Sequence, residues 1–482
     1  MLFNSGAYLV FLPSVLLVYW LVVPARLRPA FLLFASYIFY AYWRRQYLLL
    51  ILLMTVWNYF AGLWLARVRT GRRWWLALTV AGNLATLGVF KYANLALSTL
   101  YEIFAPFGSV QQDRLLNIIL PLGISFFTFE FIHYVVDVYR GHPPVKNPLV
   151  FALFPAFFPT QIAGPIKRYQ DFTAQVYARP RFNMTLFRDG LELVILGLFK
   201  KVAIADHLSG TADLAFSHAS GLSAVDAWAG MLAFTFQLYF DFSGYTDIGR
   251  GSAQMLGFRV PENFRMPYLA PNLQEFWRRW HITLSNWLRD YLYIPLGGNR
   301  QGGFRTQLNM FITMVLGGLW HGAAWHFAVW GAYHGGGLAG LRSWRPVVKP
   351  LGRALRSPLV LRVLAVTGVL ATFLTVALGW VLFRAADLGG ALTIYRHLLP
   401  GTPSAGGFEL SAGMRRGVIG VTAGTFAVEL AVTWLRSVHA HPLAQTLSPL
   451  REWARPIAWA ALASIVLLLG GGAAQRFLYF QF

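Results

Sequence analysis

The sequence predicts an all-α, polytopic integral membrane protein, and three observations predict it. Of its 482 residues 56% are hydrophobic and only 12% charged, and the mean hydropathy of +0.50 lies outside the range of ordinary soluble domains. Uncharged runs at 1–25, 46–66, 363–383 and 457–475 are long enough for a hydrocarbon core of about 30 Å, which takes roughly 20 apolar residues. Many basic residues sit in short clusters between apolar runs, at RVRTGRR (67–73), Lys167 with Arg168, Lys200 with Lys201, and KPLGRALR (349–356). The positive-inside rule expects such clusters in cytoplasmic loops. The net charge of +22 therefore points to a lipid bilayer, and no nucleic-acid partner is expected.

Taken in order, apolar segments of helical length fall at 8–24, 29–43, 46–66, 74–97, 115–138, 149–164, 186–206, 225–246, 308–338, 358–384, 415–435 and 456–475. This predicts roughly ten to thirteen membrane segments. The opening MLFNSGAYLVFLPS lacks a basic leader and is read as an uncleaved first span. The stretch 149–165 carries Pro155, Pro159 and Pro165, so a helix there breaks. Broken backbone at membrane depth survives only inside protein or along a cavity, which predicts a re-entrant element. No repeat and no soluble domain interrupts the pattern, so 1–482 is read as a single membrane domain. PGTPSAGG (400–407) reads as a water-facing loop.

The stretch NLQEFWRRWHITLSNWLRDYLY (272–293) reads as one amphipathic helix lying at an interface, capped by Asn272 with Glu275 in capping-box spacing. Trp277, Trp280, Leu284, Trp287, Leu288 and Tyr291 share one face; Arg279, Thr283, Asn286 and Asp290 share the other. An interfacial anchor accounts for the tryptophans and arginines, but not for His281 at the boundary of the faces.

GGLWHGAAWHFAVWGAYHGG (317–336) sets His321, His326 and His334 in an otherwise apolar run. An ionisable side chain in a membrane segment is costly and usually faces a cavity or the bundle interior, which makes His321 a functional candidate. The bland alternative is an imidazole hydrogen-bonding between helices. The spacing from 321 to 326 fits no metal pair on one helix face, with no carboxylate nearby, so no metal site is expected there. HAH at 439–441 reads as a headgroup-level loop. GGGLAG (335–340) satisfies G-x-G-x-x-G but follows a membrane helix rather than a strand, so it reads as close helix packing. In QLYFDFSGYTD (237–247), Gln237, Asp241 and Tyr245 share a helical face followed by Asp247. They read either as polar groups that orient an imidazole or line a tunnel, or as a segment end reaching the interface. With no cysteine in the chain, thiol nucleophiles, disulfides and palmitoylation are excluded.

Together these stretches resemble the membrane-bound O-acyltransferase (MBOAT) family, in the bacterial branch that O-acetylates alginate and other cell-envelope polysaccharides. The resemblance is carried by MLFNS (1–5), PTQIAGPIKRY (159–169), QLYFDFSGYTDIGRG (237–251), the block 263–300, GGLWHGAAW (317–325) and the final FLYFQF (477–482). It implies an MBOAT fold of helices and re-entrant elements around a central tunnel, in the bacterial inner membrane. It places the catalytic histidine at His321 and its partner position at His281, with Asp241, Tyr245, Arg279, Asn286 and Trp320 as candidate tunnel or supporting residues. The implied chemistry is transfer from acetyl-CoA, a substrate rather than a resident cofactor, with His321 as general base. Tyr479 is the implied acyl carrier, unloaded by a periplasmic SGNH-type acyltransferase partner. Its alternative role is an interfacial aromatic anchor. Two other functions stay open: a transporter or lipid-linked-sugar flippase using the same polar groups as a path, and an MBOAT enzyme acylating a protein or lipid.

Overall fold

The computed structural model describes residues 1–104, 116–354, 357–402, 408–438, 448–469 and 477–478. HAH at 439–441, most of the 400–407 loop and Tyr479 lie outside them. The regular elements among the described residues are helices, apart from an isolated bridge between Leu222 and Phe408. Among the described residues four helical stretches are long and apolar enough to cross a membrane: Gln46–Arg67, Arg72–Phe104, Pro358–Arg384 and Ala412–Thr433. The chain clusters into two compact units, one taking in Met1–Val194 and Thr246–Glu262, the other Ile195–Tyr245 and Asn263–Leu478.

The first unit holds α1 (Gly6–Leu17), α2 (Arg28–Ala41), α3 (Gln46–Arg67), α4 (Arg72–Leu87), α5 (Ala93–Phe104), α6 (Ile124–Tyr139), α7 (Pro148–Ala156), α8 (Tyr169–Ala178) and most of α9 (Met184–Leu198). Across α3 and α4 the amides of Asn58 and Asn83 each donate to the other, at 2.9 and 2.8 Å, which satisfies two polar groups where lipid offers none. α6 begins only at Ile124, after Gly123 at φ +74°, so the expected 115–138 segment is helical in its second part alone. The helix is buried from Ile124 to Val135. A Glu there needs a partner, and Glu130 has it in Lys167 at 2.8 and 3.1 Å. Lys167 is therefore a core residue and not a loop charge. The proline-rich stretch breaks as expected: α7 stops at Ala156 and the chain continues as turns to 164, buried throughout.

The second unit begins with the π-helical turn Phe199–Ala205 and α10 (Asp206–Ser217), then takes the first part of α11 (Ala224–Met255). It continues with α12 (Leu273–Arg279), α13 (Ile282–Leu288), α14 (Gly302–His321), α15 (Trp325–Ala354), α16 (Pro358–Arg384), α17 (Leu388–His397), α18 (Ala412–Val438) and α19 (Ser448–Leu469). Two expectations are corrected here. The apolar run 308–338 is not one segment but the tight pair α14 and α15, turned at Gly322, whose backbone is extended. Glycines let the two backbones touch, since a Cβ on Gly331 would run into the Met314 carbonyl and one on Gly318 into that of Phe327. Nor is 272–293 a single helix. It breaks at Trp280 and His281, and past α13 it loosens into the π-helical turn Arg289–Tyr293.

Candidate active site

Neither proline nor glycine breaks the helix at 280–281. The extended stretch after Asn263 runs alongside and takes over the backbone bonds: Ile282 N donates to the Asn263 carbonyl at 3.0 Å, and Arg265 N to that of Arg279 at 3.0 Å. The Asn263 side-chain oxygen accepts from both Thr283 N and its hydroxyl, at 3.2 and 2.7 Å. Trp280 is driven inward onto Trp380, with ring centroids 4.9 Å apart. At the next residue His281 adopts φ 42°, ψ 53°, a left-handed conformation that costs a side-chain-bearing residue roughly 1–2 kcal/mol.

That conformation turns His281 into the cap of α13. Its Nδ1 accepts from Leu284 N at 3.3 Å, so the proton of the neutral ring sits on Nε2 and makes it the donor nitrogen. The flanking helices have seven residues each, too few to cross a bilayer. The side chain is sealed from solvent, and that burial draws the imidazole down to about 3. Phe242 of α11 packs on it at 4.7 Å.

His321 is the last residue of α14, 6% exposed. Its ring meets Trp320 at 5.0 Å, Trp330 at 5.3 Å and Phe383 at 5.3 Å, each nearly perpendicular. The His281 ring lies 6.4 Å away at 82°. The structure thus brings together the two histidines singled out in the sequence, with Trp320 against both, 6.2 Å from His281.

His321 also lines a cavity of about 430 Å³ between α12–α13 and α14–α15. Trp277, Trp330, Leu284 and Met314 give it apolar walls, Ser285 and Asn286 its polar lining, and Arg278, Arg289 and Arg342 complete it. These three arginines are exposed while His321 is buried; Arg278 pairs with Glu275 at 2.6 Å and Arg289 with Asp290 at 2.7 Å. Of the expected polar face Asn286 lines this cavity, whereas Arg279 turns to the Leu269 carbonyl at 3.4 Å. His334 is fully buried against Trp277 and Trp330, at 5.2 and 4.9 Å; His326 lies beside Phe327 at 4.3 Å.

Asp241 does not serve as an imidazole partner. One oxygen pairs with Lys201 at 2.6 Å and the other accepts from Leu478 N at 2.8 Å. Lys201 also holds Asp206 at 2.7 Å, so, like Lys167, it is a buried countercharge and not a loop charge. Tyr245 stacks on Phe477 at 4.5 Å. The sequence reading missed the role of Lys201, whose partner Asp241 is distant in the chain, and the three cavity arginines.

Paired imidazoles sealed among aromatic rings, at a cavity within an apolar helical frame, belong to a membrane enzyme. The family model for the membrane-bound O-acyltransferases, MBOAT, matches residues 145–378. The chain is 45% identical to the probable alginate O-acetylase AlgI of Pseudomonas aeruginosa, over 93% of this chain and 84% of that protein. It is 42% identical to the protein of the same name in Pseudomonas putida, over the full length of both. It is 36% identical to the peptidoglycan O-acetyltransferase of Helicobacter pylori, over 83% of this chain and 80% of that one. The chain belongs to the membrane-bound O-acyltransferase family, and it is an acyltransferase.

Proposed function

We propose that this protein carries acetyl groups from cytoplasmic acetyl-CoA across the bacterial inner membrane for O-acetylation of an envelope polysaccharide, with His321 as general base and His281 as a neutral hydrogen-bond donor. The observation that carries the reading is the placement of the buried His321 in the lining of a cavity that three exposed arginines also line. Acetyl-CoA matches that polarity, with its phosphates at the guanidinium groups and its thioester reaching the imidazole. His321 takes the proton of an acceptor hydroxyl as its oxygen attacks the thioester carbonyl. The C–O bond forms, the C–S bond breaks, and the proton passes to the departing thiolate. The carbonyl end of α14 favours the positive charge that His321 carries during the step. His281 donates through Nε2 toward the developing oxyanion.

The names of the relatives support alginate or peptidoglycan as the class of final acceptor. Tyr479 is the first acceptor in this reading, a phenol that yields a reactive ester when a base is adjacent, and a periplasmic SGNH-type acyltransferase unloads it. The reading treats 1–482 as one membrane domain with a central tunnel. The test is radiolabelled acetyl-CoA with purified protein in detergent. Label retained by the wild type and absent from both His321→Ala and Tyr479→Phe supports the reading. Normal loading of His321→Ala overturns the base; normal loading of Tyr479→Phe overturns the carrier.

A further inference from the structure

Lys201, Asp206 and Asp241 place one cation between two carboxylates, with Nζ–O distances of 2.7 and 2.6 Å. Asp241 is 2% exposed and the Lys201 side chain 5%. Buried charge is tolerated when every acceptor is matched by a donor, and here the lysine is shared. The remaining Asp241 oxygen is matched by a main-chain group, the N–H of Leu478, at 2.8 Å. The adjoining Phe477 is stacked on Tyr245 at 4.5 Å and packs on Phe242 at 5.8 Å. Phe477 and Leu478 are 1% and 3% exposed. The turn bearing Lys201 comes close to α11 because residue 244 is glycine; a Cβ there would stand 2.7 Å from the Gly197 carbonyl. Phe242 is also the ring that packs on His281 at 4.7 Å.

We propose that Lys201 and Asp241 form a docking clamp for the final segment of the chain, reading an aromatic ring at 477 and the main-chain N–H that follows it. The clamp makes Asp241 a positioning residue rather than a catalytic one. Its second carboxylate oxygen has its donor only with Leu478 in place, which gives the segment a reason to stay seated one ring away from His281. The residue after Leu478 is Tyr479. The purpose of the clamp, presenting the acyl acceptor, rests on the carrier reading above; the docking itself does not.

The cysteine-free chain makes the docking directly measurable. Leu478→Cys retains the main-chain donor and introduces the sole thiol, whose alkylation by a water-soluble maleimide reads the exposure of the segment in the full-length protein in detergent. Protection is expected with Asp241 intact, with a rise of about tenfold or more in alkylation rate in Asp241→Asn and a change within about twofold in Asp206→Asn, which spares the Leu478 contact. Rapid alkylation with Asp241 intact, or equal rates in both variants, overturns the clamp. Leu478→Pro provides an arm that leaves the helices untouched: it removes the donor and is expected to abolish acetyl loading, while Leu478→Ala retains it. Normal loading in Leu478→Pro, where Tyr479→Phe fails to load, also overturns the clamp. Protection of the Leu478→Cys thiol together with normal loading of Tyr479→Phe keeps the clamp and removes the carrier reading.

Discussion

The imidazoles of His281 and His321 face each other edge to plane, ring centres 6.4 Å apart, although one is held at a helix break and the other at a helix end. The pair is asymmetric. His281 has one nitrogen committed to the backbone of α13, whereas His321 opens onto the cavity. The two rings are therefore expected to fail differently when replaced.

Replacing His321 with Ala is expected to lower the acetyl-loading rate by about 10²–10⁴, the range supplied by a positioned base, while the protein remains monodisperse in detergent. For His281 the informative contrast is His281→Gly against His281→Val. Both lose the Nε2 donor and are expected to lose activity by about 10²–10³. Both also lose the Nδ1 cap of α13; glycine accepts φ 42° freely, whereas valine keeps a strain of roughly 1–2 kcal/mol, so the valine variant is expected to show the lower melting temperature of the two.

Burial draws His281 from its usual value of 6.5 to about 3. Between those two values the unfolded chain binds a proton that the folded chain refuses, so this group weakens folding as pH falls below 6.5 and has no effect above it. Melting temperature measured against pH is expected to decline on the acid side, with a shallower decline in His281→Gly. The loading rate between about pH 6 and 9 is expected to carry no inflection from His281.

Alanine at Arg278, Arg289 or Arg342 is expected to raise the KM for acetyl-CoA a few-fold each, with kcat little changed, because in the proposed function these groups meet the donor away from the reacting carbon. The effect is expected to be larger at low ionic strength, since exposed charges are screened by salt. Initial rates at two salt concentrations check this. An unchanged KM in the triple variant would remove the arginines from the donor site.

The ion pair of Glu130 and Lys167, 2.8 Å apart and almost wholly buried, is expected to tolerate joint replacement better than single replacement. Glu130→Ala or Lys167→Ala leaves a charge stranded in the core and costs about 3–5 kcal/mol. The double variant Glu130→Met/Lys167→Leu is expected to stay near wild type in thermal stability. Melting curves of the three variants decide between a structural pair and a pair with some other duty.

His321 stood out as a candidate because an ionisable side chain in a membrane segment is costly, and the proline-rich break was legible because Pro155 and Pro159 carry their own backbone rules. The break at Trp280 and His281 was not. No residue there forbids helix, and what ends it is the stretch after Asn263 competing for the same hydrogen bonds. The pairing of α14 with α15 was hidden for a related reason, since His-Gly-Ala-Ala continues the apolar pattern across the turn. Lys167 and Lys201 were misread because a lysine beside another basic residue resembles a loop in sequence. Only the fold supplies Glu130 and Asp241 as their partners.

The reciprocal amides of Asn58 and Asn83 act as a registration key between two lipid-embedded helices. Sliding α3 along α4 would part the two amides and leave each side-chain oxygen without its donor, while each NH2 kept only a carbonyl of its own helix, Met54 or Thr79, so the contact selects a single alignment from several that apolar packing alone would accept. Descendants of this sequence can then keep both asparagines or abandon both, but a lineage that loses one carries an unmatched amide until the other follows.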